Sequence, residues 1–449
     1  MNLNYRRLAS LFGIGSGAAI LGLVFTSINT TLPLIQDSLH LPLKTLQWMM
    51  LTFGLINCSF LVISGRFADI FGRKRIYLIG LLFSGSGMLI GGLSQTSPFM
   101  ILSMAFIGLG NSIVLPVSQA MLVAAFPKDQ KSFAISIWAV SIAIAMAVGP
   151  LASGLLSQFI GWEGVFLAII PLVAISFLLV LLFAKESKNH VDLPSIDSKG
   201  MVFLSTGLLS TVLLITEYSH FSVPMMIFLL AFSITTFSLL WKHSETASVP
   251  ILVKEFIKSP QFVFSSLASF CLIFYLWATF FLLPLYLQNI RHLSPIATGI
   301  ALLGVTVPVA FLSPLLGKKY HHHRSWKWIF FGFFSIFLSA ILQVFYKDLT
   351  AFPLILLSLI LSGIGFSFVL SPTAATAFCV VPEHKVGIAS GTFITFQEVG
   401  GTLGLAICSM LLQLHPNFLS GMRWATYALI VISFLGALCS LMLNPKRKF

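Results

Sequence analysis

An all-α polytopic membrane protein of 14 transmembrane helices, two six-helix bundles joined by an inserted helical pair, is predicted by three observations. Hydrophobic residues make up 57% of the 449-residue chain and charged residues only 9%. A soluble domain carries roughly a quarter charged residues, so this chain cannot clothe a water-facing surface. Apolar runs of about 20 residues, the length that crosses a bilayer core, recur along the whole sequence. The basic residues between those runs fall almost entirely into alternate loops.

In chain order the runs cover 8–35, 46–67, 76–95, 99–121, 133–158, 163–184, 199–217, 223–242, 262–288, 295–316, 326–346, 352–374, 386–412 and 422–443. The first follows Arg6 and Arg7 like a signal peptide, but it is too long and lacks a small-residue cleavage site, so it is expected to stay attached. The short alternating segments of a membrane β-barrel do not occur. With fourteen spans, 22 of the 26 basic residues lie in the loops that share a side with both termini, and the other side holds only Lys44, Arg291, Lys347 and Arg423. The excess places both termini in the cytoplasm, and one helix more or fewer would scramble it. The net charge of +13 therefore reports topology rather than nucleic-acid binding.

The two longest connections, 185–199 and 242–261, bracket the seventh and eighth spans and leave six on either side. The expected division is 1–190, an inserted segment 191–258, and 259–449, an arrangement found in secondary transporters. No loop is long enough to house a soluble catalytic domain. The five cysteines, Cys58, Cys271, Cys379, Cys408 and Cys439, lie in apolar stretches and read as small buried hydrophobes. The run His321-His322-His323 reads as a solvated loop, because adjacent residues cannot all point at one ion in a regular helix. No cofactor and no metal is expected.

The loop after the second span reads Gly65-Arg66-Phe67-Ala68-Asp69-Ile70-Phe71-Gly72-Arg73-Lys74-Arg75. It resembles the G-x-x-x-D-x-x-G-R-[RK]-[RK] signature of the major facilitator superfamily, which implies the major facilitator fold and a gating role for Gly65, Asp69, Gly72 and Arg73. In the fifth span Gly149-Pro150-Leu151-Ala152-Ser153-Gly154 is similar to the antiporter motif, with Ser153 where that motif has a glycine. Small residues there let helices approach closely and Pro150 bends the helix. Asn29-Thr30-Thr31-Leu32-Pro33, Trp48, Trp162 through Pro171, Pro250-Ile251-Leu252 before Phe256, and Gly400-Gly401-Thr402-Leu403-Gly404 resemble segments of the fourteen-helix drug:proton antiporter branch, a family of multidrug efflux pumps. That branch carries an acid five residues before its first-helix Asn and an arginine four before a fourth-helix Gly. Here those positions are Val24 and Met104, so the usual groups for proton handling are missing.

Among the 13 acids, Glu398 alone falls near the middle of a span. An ionisable group at membrane depth is expensive unless paired or hydrated, which makes Glu398 the candidate for proton coupling or cation recognition. A Glu that merely bonds across a helix interface is the competing reading. Glu217, near the outer end of its span, reads as a snorkelling side chain. The polar and aromatic residues expected at mid-depth are Asn29, Gln119, Trp138, Tyr275, Gln288 and Gln397, a lining suited to amphipathic cations or neutral hydrophobic compounds. No phosphate-binding G-x-x-x-x-G-K-[ST] loop, no H-E-x-x-H and no paired mid-membrane acids occur, which argues against an enzyme or an ATP-driven pump.

The function expected from the sequence is export of amphipathic, drug-like small molecules across the plasma (bacterial inner) membrane by proton antiport. The partners are a small-molecule substrate, protons and the lipid bilayer, with no nucleic acid, and the chain is expected to act as a monomer. A dedicated exporter of an endogenous metabolite or siderophore, weakly coupled to protons, is the alternative.

Overall fold

The structure, a computed structural model, describes residues 5–125, 131–187, 197–247, 250–318, 325–381 and 386–444. Over these residues the chain is helical, with no strand. The helices are α1 (Tyr5–Ser38), α2 (Leu43–Phe71), α3 (Arg73–Gly92), α4 (Ser97–Ala125), α5 (Lys131–Phe183), α6 (Ser198–Thr216), α7 (Val223–His243), α8 (Lys254–Ile257), α9 (Pro260–Leu285), α10 (Pro295–Lys318), α11 (Ser325–Val344), α12 (Phe352–Phe378), α13 (Val386–Gln413) and α14 (Phe418–Met442). All but the four-residue α8 are long and apolar enough to cross a membrane, which is 13 helices.

The fourteenth span is hidden in α5. This helix runs for 53 residues and breaks at Gly161, whose backbone takes φ 80° and ψ 170°. Positive φ suits a residue without Cβ, so the glycine separates the fifth and sixth apolar runs without a loop. The spans expected at 133–158 and 163–184 are the two arms of α5, and the chain is a multi-pass membrane protein.

The chain packs as two compact units. The first holds residues up to Ile196 together with Pro284–Leu303, the tips of α9 and α10; the second holds Asp197–Leu283 and everything from Gly304 onward. The inserted pair α6–α7 therefore belongs to the second unit.

Within the first unit helices meet backbone to backbone through small residues, as expected where lipid supplies no hydrophobic drive between helices. α1 lies along α5, α3 on α4 and α2 on α4. A Cβ on Gly108 of α4 would stand 2.7 Å from the Phe53 carbonyl oxygen of α2, and one on Gly22 of α1 would stand 2.7 Å from the Ile142 carbonyl oxygen of α5. Buried Tyr77 of α3 ties three helices, donating to the Ile14 carbonyl of α1 at 3.2 Å and standing 3.3 Å from the Ser176 hydroxyl of α5.

In the second unit α6 and α7 are zipped by Thr211 and Ser233, whose hydroxyls are 2.7 Å apart. α11 packs on α12 and α14. Beyond the end of α7, Lys254 hydrogen-bonds Glu245, which holds that carboxyl below its usual range, and its ammonium sits 4.4 Å from the Trp241 ring centroid. One expectation fails: Cys379 is exposed, because α12 ends at Phe378 and leaves this residue at the helix C-cap rather than in a span.

Candidate functional site

The loop between the second and third helices is compact because α2 continues through Phe71 and α3 starts at Arg73, leaving Gly72 alone between them. Gly72 has φ 109°, a conformation that side chains disfavour. Asp69, in the last turn of α2, accepts from Arg73 Nη2 at 3.0 Å and Nε at 3.2 Å. This pair turns the arginine back over the glycine.

A residue that motif reading misses completes the assembly. Glu186, just past the end of α5, accepts from the backbone N–H of Lys74 at 3.0 Å and of Arg75 at 3.3 Å, so its carboxylate caps α3 from outside that helix. The first turn of α3 has no acidic residue of its own, and an anion there typically contributes about 0.3–1 kcal/mol. Lys74 Nζ donates to the Leu181 carbonyl at 2.7 Å, and Arg73 N to the Ser187 carbonyl at 3.2 Å. The available signal was faint: an acid following an apolar run, with a helix opening Arg-Lys-Arg elsewhere to receive it.

The two motif glycines carry different demands. A Cβ on Gly72 would lie 2.7 Å from the Glu186 carboxyl carbon, whereas one on Gly65 would first meet the Pro116 Cβ at 4.0 Å. Gly65→Ala is therefore expected to accumulate and melt like the parent protein, while Gly72→Ala loses stability. Thermal melts of the two purified variants check this; equal losses would show that the glycines do the same job.

The antiporter-like segment packs α5 against two neighbours at once. Gly149 has no room for a Cβ beside Thr26 of α1, and its carbonyl accepts from Ser27 Oγ at 3.2 Å. A Cβ on Gly154 would lie 2.5 Å from the Pro295 carbonyl oxygen of α10, and one on Gly299 of α10 would overlap the Pro150 carbonyl oxygen in return. Ser153, standing for a glycine, turns its hydroxyl back to the Pro150 carbonyl at 3.1 Å and so takes little space.

Of the polar residues expected at mid-depth, the first unit holds four. Asn29 is buried; its amide donates to the Phe25 carbonyl at 2.7 Å while its Oδ1 has no hydrogen-bond partner. Gln288 sits in a π-helical turn, Tyr286–Ile290, and donates to the Thr30 carbonyl of α1 at 2.8 Å. Trp138 Nε1 donates to Ser118 Oγ of α4 at 2.8 Å. Gln119 is half-buried on α4. A fifth polar contact escaped notice in the sequence: Asn111 of α4 donates to Asn57 Oδ1 of α2 at 2.9 Å.

Val24 and Met104, where the resemblance calls for an acid and an arginine, line one pocket together with Phe25, Ile28, Met50 and Phe53. All six side chains are apolar and the pocket measures about 10 Å³, so its walls offer a water none of the two to four polar partners it needs. Both charges are absent from the same place.

The second unit places Gln397 on α13 at its seam with α9, and Glu398 is the next residue along that helix. That seam is close: a Cβ on Gly400 would lie 2.5 Å from the Phe270 carbonyl oxygen, one on Gly401 would lie 2.7 Å from the Trp277 ring, and one on Gly404 would overlap the Phe274 carbonyl oxygen. Gln397 Nε2 donates to Ser269 Oγ of α9 at 2.5 Å. Glu398 is half-buried, and its carbonyl accepts from Thr402 Oγ1 at 2.9 Å. Tyr275 of α9 faces the other way. Its hydroxyl lies 3.2 Å from Ser339 Oγ and 2.9 Å from Ser362 Oγ and accepts from Gln343 Nε2 at 3.1 Å, in a buried network with α11 and α12. Glu217 caps the end of α6, 3.9 Å from His220. Among the described residues no cluster of three His, Cys, Asp or Glu can hold a metal, and His321 to His323 lie outside them.

The model of the family described as the Major Facilitator Superfamily matches residues 14–405. The chain is 27% identical over 415 residues to the multidrug resistance protein Stp of Mycobacterium tuberculosis, spanning 91% of this chain and 76% of that one. It is 24% identical over 444 residues to the methylenomycin A resistance protein of Streptomyces coelicolor, spanning 97% and 92% respectively. A crystal structure of a POT peptide transporter superposes with TM-score 0.72 at 15% identity, covering 98% of this chain and 96% of that one. At that identity the likeness concerns the fold.

Proposed function

Because the chain belongs to the Major Facilitator Superfamily, and is a transporter rather than an enzyme, we propose that it exports amphipathic small molecules by proton antiport with alternating access. The observation that carries this reading is the placement of carboxylates. Among the described residues of the first unit, Asp37 and Asp69 lie in the last turns of their helices, Glu163 follows the break at Gly161, and Glu186 lies beyond α5. Glu398 is the one described carboxylate in a helix interior, thirteenth of the 28 residues of α13. In the proposal it takes the coupling proton or meets a substrate cation, Gln397 beside it offers an uncharged contact, and in the first unit Asn29, Gln119, Trp138 and Gln288 are the uncharged candidates for substrate contact. Tyr275 supports α9 from behind rather than touching substrate. Gly65, Asp69, Gly72 and Arg73 work the cytoplasmic gate, and Gly149, Pro150 and Gly154 keep α5 close to its neighbours.

The relatives named for resistance to drugs and to methylenomycin A support export, and the skew of basic residues supports a plasma-membrane protein with both termini in the cytoplasm. We propose that a single chain suffices, organised as six, two and six helices. A dedicated metabolite exporter with unconventional coupling is a second reading, favoured by the apolar pocket at Val24 and Met104.

The test is efflux of a fluorescent lipophilic cation from energised cells. The parent protein is expected to extrude the dye, and Glu398→Gln and a protonophore are each expected to abolish extrusion at unchanged membrane levels. Normal extrusion by Glu398→Gln would remove that residue from coupling. No extrusion above an empty-vector control would replace the polyspecific reading with the metabolite exporter.

A further inference from the structure

We infer that the inserted pair α6–α7 is clasped to α13 through Asp197, the backbone of Ile251 and Thr392, so that the pair moves with the helix that carries Glu398. Asp197 is the centre. It caps α6 by accepting from Gly200 N at 2.8 Å, and the same Oδ1 lies 2.7 Å from His243 Nε2 in the last turn of α7. One carboxylate thus closes the open end of the helical pair. Its side chain is 6% exposed, so these bonds are shielded from water and stronger for it.

The second oxygen reaches further. Asp197 Oδ2 accepts from Ile251 N at 3.1 Å, and the Ile251 carbonyl accepts from Thr392 Oγ1 of α13 at 2.9 Å. Ile251 belongs to the Pro250-Ile251-Leu252 segment, and its peptide is held on one side by the inserted pair and on the other by α13. The chain that follows is pinned as well. Phe256 and Phe262 are buried with Ala377, Val381, Ala389 and Phe393, at the neighbouring ends of α12 and α13. Thr392 is six residues from Glu398, about 9 Å along the helix. A shift of α13 cannot leave the pair behind without breaking either the Thr392–Ile251 hydrogen bond or the shielded, charge-assisted Asp197–Ile251 contact. Asp197 and Thr392 are positioning residues for the transport reaction, and the inserted pair is a working part of the second unit.

Two measurements test the clasp. Spin labels at Lys242 of α7 and Gln413 of α13, both exposed, are expected to give one narrow distance distribution in the parent protein and a broadened one in Asp197→Ala and Thr392→Val. Thr392→Ser, which keeps the hydroxyl, is expected to stay narrow. Unchanged widths in both Asp197→Ala and Thr392→Val would overturn the inference. In the dye assay, which rests on the export reading, each of these two variants is expected to lower maximal export about tenfold with KM within about twofold, and the double variant to be no worse than the weaker single, because both break one chain of contacts. Losses that multiply to about a hundredfold would show independent roles and overturn it. If the parent protein exports no dye, the polyspecific reading fails while the spin-label result still decides the clasp.

Discussion

Val24→Asp is expected to remove most folded protein from the membrane, and Val24→Asp with Met104→Arg to restore a substantial part of it. Val24 is 5% exposed and Met104 1%, and no polar side chain lines the pocket they share. A carboxylate introduced there alone meets no polar side chain that could pair with it. Leaving a buried charge uncompensated costs about 3–5 kcal/mol, a large share of the ~5–15 kcal/mol that separates most folded proteins from unfolding. An arginine grown from position 104 reaches the same pocket and supplies donors to the new acid, although the pair must still be desolvated, so recovery is partial. Membrane yield and melting temperature of both single variants and the double variant check this. A Val24→Asp protein that accumulates and melts like the parent would mean that water reaches this pocket. A double variant no better than either single would mean that the two positions do not face each other.

Much of the fold is legible in the sequence because the bilayer imposes a length on every span. Thirteen helices and the break in α5 fall where the apolar runs predict, and even Gly161 is visible as the glycine between two runs. What the sequence does not display is which helix faces which. Tyr275 looks like a cavity residue by depth and chemistry, yet its hydroxyl goes to Ser339, Gln343 and Ser362, between 64 and 87 positions away along the chain. Glu186 is an ordinary loop acid by position and becomes the cap of α3 only once that distant helix arrives beside it, whereas Asp197 caps its own helix locally and meets His243 and Ile251 only in the folded chain. Asn57 and Asn111 are two isolated amides until α2 lies on α4. Glycines sit between these extremes. The pairs Gly87/Gly91 and Gly400/Gly404 announce close packing, but the same spacing cannot say that Gly404 meets a backbone carbonyl while Gly65 meets almost nothing. Glu398 stands out without any such help, since a mid-span carboxylate is conspicuous in a chain with so few acids.

Gly404→Ala is expected to lower export by at least about tenfold, and Gly404→Leu to leave no export and little folded protein. The added Cβ would fall on the Phe274 carbonyl oxygen and within 2.8 Å of its Cα, backbone atoms of α9 that no rotamer change can move aside. Overpacking of this kind typically costs about 1–3 kcal/mol, because the helices must separate along the whole contact. The functional loss is expected to exceed the loss in stability. Separating α13 from α9 stretches the 2.5 Å bond from Gln397 to Ser269 and moves Glu398, so the proposed coupling group is displaced even in protein that remains folded. Melting temperature and dye export measured on the same preparations separate the two effects, with Gly65→Ala as the control for a motif glycine that has room. If Gly404→Ala melts lower but exports normally per folded molecule, the α9–α13 seam holds the unit together without setting the position of Glu398. If it exports poorly at a nearly unchanged melting temperature, the geometry of this seam is what the transport cycle depends on.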